Sequence, residues 1–379
     1  MLSIKPCTAG EFPVQDNLFQ SSFWGEFKGN ALYFLAEYND TPFPVLVLVR
    51  KTKSGFVYAY APKAPSILIK EDERGMMLEQ LAEALKHFLP DETVCLRFDL
   101  PWKIQNADYD STRKELLELK MNMGTENHSL RKSPLDHLCS STVTINLTYS
   151  PNQLLAKMRQ TTRNSVRRAY KSDVKFRLYN AEQALSIDSP FEEWHGIYKD
   201  TALRKGFYFE EFNYFKNLFE MSINKSSETA NKIDSNNSPK TQNSVPMNAP
   251  PPRPKFYLFT AHSTANKENR FLSGMVMAVC GRRAYYMYAG SSLTGRELMP
   301  NYGLQWEAQL FARRSGCTEY DFMGIPPNAD SAHPMCGLYI FKTGFGGEKV
   351  RFPGAWDYVY NAEQYKFFTD EEQFSTLKI

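Results

Sequence analysis

The sequence predicts an α+β fold in which one structural plan is used twice. Two sets of stretches carry that expectation. In the first half, Val45-Leu-Val-Leu-Val49 is followed by a turn, by Tyr58-Ala-Tyr-Ala61, by a helical stretch and by Leu96-Arg-Phe-Asp99. In the second half, Met275-Val-Met-Ala-Val279 is followed by a turn, by Tyr286-Met-Tyr-Ala289, by a helical stretch and by Glu319-Tyr-Asp-Phe322. Both orders describe an antiparallel meander, a helix, and a strand that returns to the same sheet. A composition of 42% hydrophobic and 14% aromatic residues supplies packed cores, and 379 residues leave room for about two of them.

Each element has a local reason. Residues 18–28 predict a short helix: Ser21 or Ser22 can cap it, Phe23, Trp24 and Phe27 form its apolar face, and Gly29 can end it. Lys28 falls in the last turn, where a cation suits the helix dipole. Strands are expected at 31–38, 43–50 and 56–61, and Val45 to Val49 is apolar on both faces, as in a covered central strand. Met77, Leu78, Leu81, Leu85 and Phe88 repeat at helical spacing over 75–88. A strand over Thr93–Asp99 stops at Leu100-Pro101, and a helix over 111–121 and a strand over 142–147 follow.

The second half opens with an amphipathic helix over 152–172. Leu155, Met158, Val166 and Ala169 lie to one side, and Arg159, Arg163 and Arg167 line another at i, i+4 spacing. Such a basic stripe is either a solvated helix face or a surface for anions. Helices over 182–204 and 209–222 come next. Residues 222–254 are dominated by Ser, Asn, Lys, Thr and Pro, too polar to bury enough surface to order themselves. This segment is an insertion, because strand 256–261 resumes the pattern at once. Strands over 272–280 and 284–291, a helix over 302–314 and a strand from Glu319 into Gly324 complete the second plan.

Composition and motifs narrow the chemistry. A net charge of +3 offers no global polycation, so any anionic partner must meet a local patch. Cys7, Cys95, Cys139, Cys280, Cys317 and Cys336 show no paired spacing, which fits reduced thiols in a cytoplasmic protein. No apolar run approaches the length of a membrane span. HExxH, GxSxG, Walker and GxGxxG patterns are missing, and His333 with Cys336 alone makes no metal site, so no metal is expected.

The repeated plan is similar to the GNAT acyltransferase unit. Enzymes of that kind that use coenzyme A hold its pyrophosphate on a Gly-rich turn opening a helix. The corresponding turns here, Gly295-Arg-Glu-Leu-Met-Pro-Asn-Tyr-Gly303 and Lys63-Ala-Pro-Ser-Ile-Leu-Ile-Lys70, lack that run, so coenzyme A is not the expected donor. One cation then stands out. Lys342 lies within Gly337-Leu-Tyr-Ile-Phe-Lys-Thr-Gly-Phe-Gly-Gly347, among aromatic residues and ahead of Gly344, Gly346 and Gly347, which suit a backbone close to a ligand. It either snorkels to water or meets something anionic.

Six stretches together resemble the FemABX family of aminoacyl-tRNA-dependent transferases, which build peptidoglycan side-branches and cross-bridges. They are Gln20-Ser-Ser-Phe-Trp-Gly-Glu-Phe-Lys28, Tyr60-Ala-Pro-Lys-Ala-Pro65, Leu96-Arg-Phe-Asp99, Thr162-Arg-Asn-Ser-Val-Arg167, Tyr286-Met-Tyr-Ala-Gly-Ser291, and Tyr320-Asp-Phe-Met-Gly-Ile325 with Gly337 to Gly346. The resemblance implies two tandem GNAT-like domains without a coiled-coil arm: 1–147 with 353–379, on the acceptor side, and 148–352, on the donor side. It implies transfer of an amino acid from charged tRNA, with no further cofactor, to the side-chain amine of the third stem-peptide residue. The acceptor would be UDP-MurNAc-pentapeptide or lipid II, and the protein a monomer touching a membrane surface at most transiently.

By the same resemblance, Lys28 meets the acceptor's diphosphate, Asp99 contacts the acceptor, Tyr214 and Tyr288 line the cleft with Phe341, and Lys342 stabilises the reacting ester. Arg159, Arg163 and Arg167 are the expected tRNA contacts. Two positions depart from the family pattern: Glu210 where a second diphosphate-binding Arg is expected, and Val94 where an acceptor-site Tyr is expected. Two alternatives stay open at this point. One is aminoacyl transfer to a protein N-terminus or a lipid; the other is a non-catalytic pair that only binds tRNA or a cell-wall precursor.

Overall fold

A computed structural model describes residues 2–105, 109–223, 253–265, 269–326, 328 and 330–376. The expected insertion at 222–254 lies almost wholly outside the described residues. Two seven-stranded sheets organise the chain. The first half contains β1 (Leu2–Cys7), α1 (Ser22–Lys28), β2 (Ala31–Tyr38), β3 (Thr41–Lys51), β4 (Val57–Ala61), α2 (Arg74–Lys86), β5 (Thr93–Asp99), α3 (Lys114–Met121) and β6 (Leu130–Lys132). The second contains β7 (Ser141–Asn146), α4 (Pro151–Lys157), α5 (Gln160–Lys171), β8 (Val174–Tyr179), α6 (Ala181–Ala184), α7 (Phe191–Lys205), α8 (Phe212–Ser222), β9 (Lys255–Ser263), β10 (Arg270–Cys280), β11 (Arg283–Ser291), α9 (Pro300–Arg314), β12 (Glu319–Gly324), α10 (Cys336–Thr343) and β13 (Glu348–Arg351). The chain then returns to the first sheet with β14 (Ala355–Val359) and α11 (Ala362–Thr376).

Strand order is β1-β2-β3-β4-β5-β14-β6 in the first sheet and β13-β7-β12-β11-β10-β9-β8 in the second. In each, an antiparallel meander ends in a strand that pairs parallel with the one after the helix: β4 with β5, and β11 with β12. The repeat is therefore real, and the fold is the α+β tandem that it predicted. The strand over 141–146, placed with the first half on sequence, pairs with β12 and β13 in the second sheet.

Apolar packing follows this plan. One core lies between the first sheet and α2, through Phe34, Val45, Val47, Met77, Leu81 and Leu96. Another lies between the second sheet and α4, α5, α9 and α10. A third joins the two halves, where Leu46, Leu48 and Tyr60 of the first sheet meet α1, α7, α8 and residues of β9 to β11. Trp194 of α7 and Phe215 of α8 are fully buried there, each worth roughly 1.5–3 kcal/mol or more by area. Helix α7 lies so close to β11 that a Cβ on Gly290 would run into the Tyr198 backbone.

Two predicted helices are broken. The one expected over 152–172 stops at Lys157 and restarts at Gln160, with Met158 and Arg159 both extended. The Arg159 N–H donates to Gly344 O at 2.8 Å, so the interruption seats the end of α10 against the chain. The one expected over 182–204 divides into α6 and α7 around Ser189-Pro190. Around Lys342, the aromatic stretch is a helix, α10, and two further strands follow it.

Candidate functional site

The strands β5 and β12, which carry Asp99 and Asp321, end where the two halves face each other. At the end of β12, Asp321 Oδ1 accepts from Met323 N at 2.7 Å and from the Thr142 hydroxyl. That ties off a tight turn in which Met323 takes φ +56°. The turn aims two carbonyls at Lys342: its Nζ donates to Gly324 O at 2.7 Å and to Met323 O at 3.4 Å. Helix α10 buries Lys342 to 5% exposure, with Nζ 5.2 Å from the Tyr286 ring centroid. Burial pushes its ammonium down to about 8, against the opposing pull of Cys139 and Asp321. Snorkelling to water is thus not what Lys342 does.

The glycines after Lys342 serve packing. A Cβ on Gly346 would strike Lys157 O, and one on Gly347 would strike Thr144 O, so both let the chain cross α4 and β7 closely. Gly346 also has φ +80°. Gly324 has a related role beside the site, where it makes room for the Cys139 side chain.

At the end of β5, Asp99 is fully buried. Its Oδ2 accepts from the Tyr60 hydroxyl and from Leu138 N at 3.2 Å, while Oδ1 has no partner. Burial raises its carboxyl above the ordinary aspartate range, and Lys63 is the strongest influence pulling it back. The Lys63 Nζ donates to Cys139 O at 3.2 Å and lies 4.0 Å from the Phe352 ring centroid. Asp99 and Lys63 from the first half therefore meet Asp321 and Lys342 from the second around Cys139. Sequence reasoning selected Lys342 and Asp99 and missed Lys63 and Cys139. The motif Tyr60-Ala-Pro-Lys-Ala-Pro65 was the one signal that pointed to Lys63.

A second cluster joins three other selected residues. Lys28, at the end of α1, donates to Tyr214 O–H at 3.2 Å, and the Tyr214 and Tyr288 hydroxyls are 2.9 Å apart. The ammonium also lies 5.1 Å from the Trp24 ring and 4.7 Å from the Tyr214 ring. Burial lowers the Lys28 ammonium, and Glu210 draws it back up. Glu210 therefore puts an acid within electrostatic reach of the cation, in a loop fixed by His195 Nε2–H donating to Glu210 O at 3.0 Å and Glu210 N donating to Tyr198 O–H at 3.3 Å. A β-bulge leaves Met287 unpaired between Tyr286 and Tyr288, so Tyr288 packs towards Lys28 while Tyr286 sits under Lys342.

The remaining selections fall elsewhere. Phe341 packs on Tyr302 and Phe345 in the core of the second half, ring centroids 5.0 and 5.4 Å away. Val94 is buried beneath Phe368 of α11. The three arginines do not form one helical stripe: Arg159 precedes the helix, and Arg163 folds back to cap Ala156 O at 2.8 Å and Met158 O at 3.0 Å. Arg167, Arg168 and Lys171 remain exposed on α5. Among the described residues no helix is long and apolar enough to cross a membrane.

Known proteins share this organisation. The chain is 36% identical over 109 residues to a lipid II:glycine glycyltransferase from Staphylococcus saprophyticus, covering 29% of this chain and 26% of that one. It is 34% identical over 99 residues to the protein of the same name from Staphylococcus aureus strain USA300, covering 26% of this chain and 24% of that one. The matched region thus spans about a quarter of the curated relatives' length. A crystal structure of FemX superposes with a TM-score of 0.68 at 16% identity, over 97% of this chain and all of that one, which establishes the shared fold. The sequence pattern of the FemAB family matches residues 11–236 and 222–370, nearly the whole chain, and the protein belongs to that family.

Proposed function

We propose that the protein is an aminoacyltransferase that moves an amino acid from charged tRNA to the side-chain amine of the third stem-peptide residue of a peptidoglycan precursor. The observation that carries this reading is the inter-sheet site itself. A buried ammonium, Lys342, is held by two carbonyls after β12, and a buried carboxylate whose Oδ1 is unused, Asp99, lies at the end of β5. Family membership and glycyltransferase relatives that act on lipid II support the same class of acceptor.

The reaction needs little beyond positioning and charge stabilisation. The acceptor nitrogen bonds to the ester carbonyl carbon, the carbonyl oxygen carries negative charge, and the ester C–O bond then breaks. Of the two protons the acceptor ammonium loses, one ends on the departing ribose oxygen, which leaves as a hydroxyl, and the other passes to solvent. Lys342 supplies a preorganised positive charge to the oxyanion in a site of low polarity. Asp99 orients the acceptor ammonium through Oδ1. The Lys28, Tyr214 and Tyr288 cluster holds the acceptor's diphosphate, with Glu210 tempering its charge. Coenzyme A has no part in this scheme: Pro300, at the first position of α9, contributes no N–H to a pyrophosphate cradle there.

Purified protein is incubated with total charged tRNA and either UDP-linked pentapeptide or its lipid-linked form, and the products are read by mass spectrometry. A mass gain of one aminoacyl residue on a stem peptide is expected. Failure to modify either acceptor, with an N-terminal peptide or a lipid amine modified instead, overturns the assignment. The exposed cations of α5, with Arg159, are assigned to the tRNA backbone. Removing charge at Arg159, Arg167 and Arg168 together is expected to weaken tRNA binding and to flatten its salt dependence. An unchanged salt slope would remove tRNA from that face.

A further inference from the structure

Lys63 has no role in the scheme above, yet its placement is unusual. It occupies a left-handed turn, φ +47°, directly after β4. The next residue, Ala64, donates its N–H to the main-chain carbonyl of Asp99 at 3.1 Å, so the turn is fastened to the strand that carries the carboxylate. One residue before β4 ends, Tyr60 is already committed to Asp99 Oδ2, and the Leu138 N–H donates to the same oxygen. Lys63 Nζ grips the adjacent carbonyl of Cys139. Lys63 and the Asp99 side chain are therefore held by neighbouring residues, Cys139 and Leu138, of one connecting segment.

A buried carboxylate stays ionised only with a counter-charge. The candidates around Asp99 can be taken one at a time. Arg97, two residues along β5 and on the same face of the strand, is fully buried and is spent on Asp357, at 2.7 and 2.8 Å, and on Glu372, at 2.6 and 2.8 Å. His137 is neutral: burial and the Arg97 charge push its imidazole down to about 4. Tyr60 only donates a hydrogen bond, and Asp136 is a like charge that disfavours ionisation. Lys342 is engaged with Met323 O and Gly324 O and acts on Asp321 and Cys139. Lys63 faces Asp99, Asp321, Asp136 and the Cys139 thiol, and it is the cation that acts on Asp99.

We propose that Lys63 is a positioning residue of the acceptor site, whose ammonium keeps Asp99 ionised so that the unpartnered Oδ1 can receive the acceptor's ammonium group. The inference rests on the reading of Asp99 as the acceptor-side carboxylate. It adds that the two lysines divide the work, Lys342 serving the ester and Lys63 serving the amine through Asp99.

Two measurements test it on the full chain. Infrared difference spectra between each protein and its Asp99→Asn counterpart report the protonated Asp99 carboxyl directly, without substrate. Lys63→Met and the milder Lys63→Gln are expected to shift Asp99 protonation upward by about one pH unit or more, and Lys63→Arg to restore it. In steady-state kinetics the acid limb of kcat/KM for the muropeptide acceptor should move up by the same amount, with KM for charged tRNA unchanged. Asp99 remaining ionised in both neutral variants, with an unmoved acid limb, overturns the proposal. A purely structural role would lower thermal stability without shifting either profile, and that result also overturns it. If the infrared shift appears while even the unaltered protein modifies no stem peptide, Lys63 stands as the counter-ion of Asp99 and the functional reading falls.

Discussion

Lys342 illustrates how burial and reactivity are linked at the scale of one residue. Its ammonium in the folded protein titrates near 8, below the ordinary 10.5, because burial disfavours the charge. The unfolded chain therefore binds the extra proton between those values, and folding stability rises with pH across that window. At neutral pH both states are protonated and the penalty is fully present, about 3 kcal/mol. Replacing Lys342 by Met removes the penalty and two hydrogen bonds of about 1 kcal/mol each. The Lys342→Met protein is thus expected to unfold no more readily than the parent at pH 7, while turnover drops by about 10²–10³-fold. Thermal melts and single-turnover rates check both halves. In the parent protein, the rate should fall as pH rises past about 8, as Lys342 loses its proton. Asp99 obeys a related rule with the opposite chemistry. Its folded carboxyl titrates above the unfolded one, so stability falls as pH rises through that interval. Asp99→Asn should melt higher at neutral pH and transfer nothing to the acceptor, and a lower melting temperature would show that Asp99 is structural.

At the scale of elements, helix α11 is fixed by charge as much as by packing. Arg97 on β5 bridges Asp357 on β14 and Glu372 on α11, and Tyr365 O–H adds a bond to Asp357 at 2.8 Å. Removing one member of such a network strands buried charges. Arg97→Ala is expected to cost about 3–5 kcal/mol in chemical denaturation, whereas Glu372→Gln, which keeps a hydrogen-bonding partner, should cost clearly less. Equal effects would mean that the helix is held by Phe368 and its apolar neighbours alone.

Elements also show what was legible in the sequence. Strand alternation and the Val45–Val49 run placed the sheets, because those patterns are local. The break at Met158-Arg159 was invisible because its cause is remote, the carbonyl of Gly344. Helix α10 was missed because Leu338-Tyr-Ile-Phe341 has the composition of a strand, and tertiary packing on Tyr302 and Phe322 overrides it. Within the site, Lys342 and Asp99 were found through motifs. Lys63 and Cys139 act through a contact between residues 76 positions apart, which no local pattern announces.

At the scale of the molecule, the two sheets are not two beads on a string. The first sheet contains β14, which sits between β5 and β6 and pairs with both. Ending the chain before Ala355 would leave β6 without its one pairing strand and β5 with an open edge. Such a truncation is expected to abolish soluble expression of the whole protein, and supplying residues 355–379 as a separate chain should restore some of it. Recovery of a stable, folded second half from the truncated protein would show that the two sheets fold independently.

The late arrival of β14 has a further consequence during synthesis. Arg97 and its partner Asp357 are 260 positions apart. At about 5–20 residues per second, translation separates them by roughly 13–50 s. Throughout that interval the nascent first half carries a guanidinium destined for full burial and a sheet edge with nothing to close it. The site depends on the same closure, since Asp99 is paired at the end of β5 with Ala355, the first residue of β14. A ribosome-bound fragment therefore lacks the strand that completes the end of β5 around Asp99, and the proposed acceptor site can form only once the last strand has been translated.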